Sequence, residues 1–105
     1  MALTRDFKQT MKARAERDPA FRNALLTEAA ELLLSGDLDA GKAVLRDYIN
    51  TTIGFERLAQ ETGTPAKSLM RMLGPGGNPR ASNLLAVIAS LQRVGRVKLA
   101  VAVGQ

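Results

Sequence analysis

The stretch from Phe55 to Leu73, FERLAQETGTPAKSLMRML, leaves this chain few ways to fold. It reads as two short helices, with Leu58 and Ala59 in the first, Gly63 in the turn, and Leu69, Met72 and Leu73 in the second. Ala59 is small enough to let the second helix pack close. Gly63 can take the positive φ that a tight break between helices needs. Thr64 is expected to cap the second helix with its hydroxyl, and Pro65, at the next position, to fix φ without removing a useful donor. Leu69, Met72 and Leu73, spaced i, i+3, i+4, then point inward. Ala66, Lys67, Met70 and Arg71 are left outside.

Two helices so joined are the pattern of a helix-turn-helix, whose second helix enters the DNA major groove. LAQETGTPAKSLMRML resembles the helix-turn-helix of the Cro/phage-repressor type. With GPGGNPRASNLLAVIASL after it, the stretch resembles the antidote proteins of type II addiction modules (HigA-like), whose repressor-like domain carries a GNPR turn after the recognition helix. Gly77, Asn78, Pro79 and Arg80 supply that turn here. The resemblance covers roughly residues 28 to 103 and is closest from Leu58 to Leu91. Pro65 departs from it, standing where the family usually has a capping Ser.

Length and charge are compatible with this reading. A chain of 105 residues forms one small domain with a modest core. Aromatics are few, so Leu, Val, Ile, Met and Ala must fill that core. Cysteine is absent, which removes disulfides and thiolate chemistry and fits a reducing cytoplasm. MALTRDFKQTMKARAERD is too polar for a signal peptide, and no apolar run approaches the roughly 20 residues of a membrane span. The expectation is a cytoplasmic protein with no membrane partner. From Gly63 to Gln105 there is no acid, while Lys67, Arg71, Arg80, Arg93, Arg96 and Lys98 are basic. From Asp37 to Thr62 the balance leans acidic. A basic half that begins at the turn of the motif suits a phosphate-facing surface.

In chain order, Leu3, Phe7, Met11 and Ala15 recur at i+4, predicting an amphipathic helix over residues 3–17 with Arg5, Lys8, Lys12, Arg14 and Arg17 on its other face. That basic helix can pack on the bundle, dock on a partner protein, or lie on DNA or a membrane surface. Asp18-Pro19 caps the next helix, about Ala20 to Ser35, with Phe21, Leu25, Ala29 and Leu32 on one face and Leu26, Leu33 and Leu34 broadening it. Asp37 or Asp39 opens a third, to about Asn50, with Val44, Leu45, Tyr48 and Ile49 buried. After Leu73, GPGGNP interrupts regular structure. Ser82 or Asn83 opens a helix to about Val94, with Leu84, Val87, Ile88 and Leu91 inside. Arg96 to Val103 alternates β-branched residues at period two and reads as a strand. The expected fold is therefore mostly α: a repressor-like helical bundle with a helix-turn-helix, an N-terminal helical extension over residues 1–36, and a DNA-binding domain over residues 37–105 that ends in a strand.

The groove-facing positions would be Ala66, Lys67, Met70 and Arg71, with Thr64, Pro65 and Ser68 at the leading edge. Arg71 or Lys67 can bond guanine O6 and N7, and Ala66 can touch a thymine methyl. Asn78, Arg80 and Arg57, on the loop and helix beside the reading helix, suit backbone phosphates. The same residues also suit an ordinary solvated surface. An enzyme is not expected: without histidine or cysteine, no nucleophile–imidazole pair and no soft metal site can be built, and no cofactor or metal is implied.

The resemblance implies an antitoxin that represses its own operon, with a RelE/HigB-type toxin as partner. The alternatives are a stand-alone or prophage-type repressor without a toxin, and a protein-interaction module that has lost DNA binding. A lone strand leaves its backbone groups unpaired, and Val97, Leu99, Val101 and Val103 would share an apolar face. The expected partner is the same strand of a second copy, giving a two-fold homodimer matched to a palindromic operator. The rivals are the toxin's sheet edge and a helical tail.

Overall fold

The computed structural model describes residues 5–104, which form a mostly helical globule. Its helices are α1 (Arg5–Arg17), α2 (Pro19–Leu34), α3 (Leu38–Thr51), α4 (Gly54–Thr62), α5 (Ala66–Met72) and α6 (Ala81–Gly95). Leu3 lies outside the described residues, as do the side chains of Arg5 and Lys8.

The helix ends follow local chemistry. Asp18 accepts from the Phe21 N–H at 3.2 Å, with Pro19 in the first turn of α2, and Asp37 accepts from the Ala40 N–H at the same distance to open α3. Ser35 and Gly36 close α2, Gly36 at φ 90°. Two expected caps are absent. Pro65 itself is the residue preceding α5, with no side-chain bond to that helix; Thr64 instead gives its own N–H to the Thr62 Oγ1 at 3.3 Å. Likewise α6 starts at Ala81, before Ser82 or Asn83, and no side chain caps it.

One core joins five of the helices. Leu26 and Ala29 of α2, Leu45, Tyr48 and Ile49 of α3, Phe55 and Leu58 of α4, Leu69 of α5, the adjoining Leu73, and Val87 and Leu91 of α6 are all buried in one cluster. Each full-sized aliphatic contributes about 1.5–3 kcal/mol by leaving water. Gly41 sits where α3 packs tightly against α2: a Cβ there would lie 2.6 Å from Leu33 Cδ2. Burial of Tyr48 pushes its phenol above the usual range, an effect the nearby Arg22 guanidinium opposes. Leu34, expected on the inner face, is exposed.

Helix α1 packs on α2 and α3. Ala15 is fully buried, Arg22 donates to the Ala15 carbonyl, and the Arg14 guanidinium lies 4.6 Å over the Phe21 ring. Of the three roles open to the basic helix, packing on the bundle is the one observed among the described residues.

The C-terminal segment departs from expectation. Among the described residues there is no strand, and residues 97–104 run without regular structure after Arg96 ends α6 at φ 54°. A ladder needs a second strand, and the described residues offer none to pair with. Val97 and Leu99 do not share a wet face with Val101 and Val103. They are half-buried against the core, held by Val97 N–H to the Gln92 carbonyl (3.0 Å) and Leu99 N–H to Gln92 Oε1 (2.8 Å). Val101 and Val103 alone remain open, at 82% and 94% exposure.

At the α4–α5 junction Gly63 takes φ 74°, and its N–H bonds the Ala59 carbonyl at 2.9 Å. A Cβ there would meet nothing within 4 Å, so substitution costs backbone strain without a clash. Gly63→Val is therefore expected to lose at least about 1–2 kcal/mol, the penalty for an L-residue in the left-handed region, which branching at Cβ makes worse. Urea denaturation checks this, and an unchanged midpoint would show that the turn does not need glycine.

Candidate nucleic-acid interface

Helix α5 is amphipathic over only seven residues. Leu69 faces inward fully, Met72 and Leu73 pack beside it, and Lys67, Ser68, Met70 and Arg71 are exposed. Pro65 is exposed ahead of the helix, and Thr64 is half-buried. Ala66 differs from expectation: it packs against the core and is only partly accessible, because it lies three residues before Leu69 on the inner face. Arg57 is exposed on α4, and Asn78 and Arg80 are exposed on the loop between α5 and α6.

That loop and α5 frame a cleft of about 590 Å³. Thr62, Thr64, Ser68, Arg71, Asn78 and Arg80 contribute to its walls, bringing hydroxyl, amide and guanidinium groups together. These are donor groups of the kind that bind phosphate and sugar oxygens. Lys67, Met70, Pro65, Ala66 and Arg57 lie outside the cleft walls.

The charges on this face are available. Among the described residues, acidic partners engage Arg14, Lys42 and Arg93, whereas none engages Arg57, Lys67, Arg71 or Arg80. Arg93, by contrast, meets Glu61 at 3.9 Å, tying α6 to α4, and donates to Ser90 Oγ at 3.2 Å within its own helix. Exposed pairs of that kind contribute about 0–1 kcal/mol.

Two residues of α3 that the sequence pattern did not single out support this face from behind. Lys42, 1% exposed, donates from Nζ to the Gly74 carbonyl at 3.0 Å and the Gly77 carbonyl at 2.6 Å. Arg46 donates to the Leu73 carbonyl. Those carbonyls belong to the C-terminal end of α5 and the loop after it, where unpaired helix carbonyls and the helix dipole favour a cation. Their signal in the sequence was register: Lys42 precedes Leu45 by three and Ile49 by seven, on the apolar stripe of α3.

Comparison with protein-family models, curated proteins and solved structures finds no match to this chain.

Proposed function

We propose that the chain is a sequence-specific regulator that binds double-stranded DNA, with α4 and α5 forming the helix-turn-helix of a repressor-like bundle and α5 reading the major groove. The observation that carries this reading is the set of acid-free cations on α5 and its flanking loop, beside a mainly apolar cleft whose walls also carry hydroxyl, amide and guanidinium groups. Arg71 and Lys67 read base edges, while Arg80, Asn78 and Arg57 hold phosphates. The resemblance of LAQETGTPAKSLMRML and GNPR to addiction-module antidotes extends the proposal to an antitoxin that represses its own operon in the cytoplasm, with a RelE/HigB-type toxin as partner.

Arg71→Ala is expected to cost about 1–3 kcal/mol and to relax base preference at one position; Arg80→Ala is expected to weaken all sequences more evenly. Selection of duplexes from a random pool by wild type and both variants tests the division of roles. Enrichment of a palindrome by wild type supports the reading, and a pool left unenriched by wild type defeats it.

The C-terminal segment completes the proposal as the strand of a two-fold homodimer, pairing antiparallel with its copy. Exposed Val101 and Val103, together with a backbone that has no ladder partner among the described residues, support this. The expected result is a dimer in sedimentation at micromolar concentration, reduced to monomer by Val101→Lys with Val103→Lys. These two positions leave the core packing of Val97 and Leu99 intact. A wild-type monomer, or a dimer indifferent to both lysines, would contradict it.

A further inference from the structure

Buried polar groups in a small core need a reason. Thr51 and Ser90 have local ones: Thr51 bonds the Asp47 and Tyr48 carbonyls within its own helix, and Ser90 accepts from Arg93. Lys42 does not. Its ammonium is withdrawn from water, which is costly unless the charge is well bonded. Asp39, 3.7 Å away, is 93% exposed, so water screens most of that attraction. What remains are the two carbonyls of Gly74 and Gly77, more than thirty residues away in the chain.

The segment those bonds hold has little freedom. The Gly77 N–H bonds the Gly74 carbonyl at 3.0 Å, and a Cβ on Gly77 would lie 2.4 Å from both the Arg71 and the Met72 carbonyl oxygens. Thus Gly77 is both pressed onto the last turn of α5 and held by Lys42. Asn78 follows at once and Arg80 three residues on, both lining the cleft that Arg71 shares.

We propose that Lys42 is a positioning residue for DNA binding: from inside the core it fixes the Gly74–Gly77 backbone so that Asn78 and Arg80 address the phosphates flanking the site read by α5. The proposal rests on the DNA-binding reading of the cleft and adds to it the residue that aligns the two halves. Lys42 itself touches no DNA, being buried in the core.

The consequence is a specific coupling. In Lys42→Met, which keeps an unbranched side chain one atom shorter but removes the donors, the loop groups are already misaligned with the phosphates. Arg80→Ala then weakens binding of a pool-selected duplex by less than about 2-fold, although it is costly in wild type, because residues acting through one shared interaction are not additive. Arg71→Ala costs the same factor in both backgrounds. The salt slope of Lys42→Met falls by about one for each phosphate that the displaced loop no longer neutralises. Lys42→Arg, which retains donors, restores part of the Arg80 effect. Global loosening of the fold would instead weaken the Arg71 and Arg80 contributions together. If Lys42→Met does not fold, Arg46→Met cuts the neighbouring bond to the Leu73 carbonyl and carries the same cycle. A wild type that binds the duplex while Arg80→Ala costs equally in the clamp variant and in wild type overturns the proposal and leaves the DNA reading standing. A wild type that binds no duplex removes both.

Discussion

Gly77→Ala is expected to lower the melting temperature on the order of 15 °C and to abolish duplex binding. The reason is geometric. The new Cβ would sit 2.4 Å from two carbonyl oxygens and 2.9 Å from the Met72 carbonyl carbon, all backbone atoms of α5's last turn. No rotamer change relieves such a clash, so the loop must swing away from α5. Overpacking of this kind costs about 1–3 kcal/mol. The swing also draws the Gly77 carbonyl from Lys42, leaving a buried ammonium under-bonded, which adds about 1–3 kcal/mol more. For a domain near 100 residues each kcal/mol moves the midpoint by about 4–8 °C. Gly76→Ala is the control: its φ is 79° but a Cβ there meets nothing within 4 Å. It should lose about 1–2 kcal/mol only. Equal melting of the two variants by circular dichroism would show that Gly77 is not pressed onto the helix end.

Leu69→Ala is expected to cost about 2–5 kcal/mol, the range for a fully buried leucine. At α5 the loss has a local consequence as well. Seven residues are far too few for a helix to persist on its own propensity. Its anchors are Leu69, 1% exposed, with Met72 and Leu73 following. Removing Leu69 releases the turn that carries Lys67, Met70 and Arg71, so DNA binding should fail at temperatures where the rest of the chain remains folded. Met70→Ala, on the exposed side of the same turn, should change stability by no more than about 0.5 kcal/mol. Guanidinium denaturation alongside duplex binding checks both variants. A Leu69→Ala protein that binds like wild type would show that α5 is held by something other than this side chain.

Helix positions were legible because periodicity and capping acted together. Asp18-Pro19 and Asp37 mark starts that side-chain bonds confirm, and Ser35-Gly36 and Gly63 mark stops that positive φ confirms. Legibility failed where a side chain had two uses. Thr64 looks like a cap, yet Pro65 follows it and takes the capping position with no side-chain donor or acceptor to give. Ala66 looked exposed by elimination, but its spacing from Leu69 turns it inward. Lys42 is hard to place from sequence because a lysine is normally solvated; the loop carbonyls, thirty-two and thirty-five residues away, make its burial tolerable. The period-two pattern after Arg96 describes side-chain alternation, which an extended tail shares with a strand. In this chain the alternation tucks Leu99 inward through Gln92, whose amide no local pattern reveals as a partner.

Whether α5 reads DNA is decided by fluorescence anisotropy on a labelled duplex from the chain's own promoter. Wild type and the Lys67→Ala/Arg71→Ala variant are titrated against the promoter duplex and a scrambled one across a salt series. If α5 is the reading helix, wild type binds tightly and its affinity falls steeply with salt, at a slope near 0.9 per phosphate neutralised. Its preference for the promoter is then about 10³-fold or more, and the double variant largely erases it. Equal promoter binding by wild type and the double variant would contradict that role for α5.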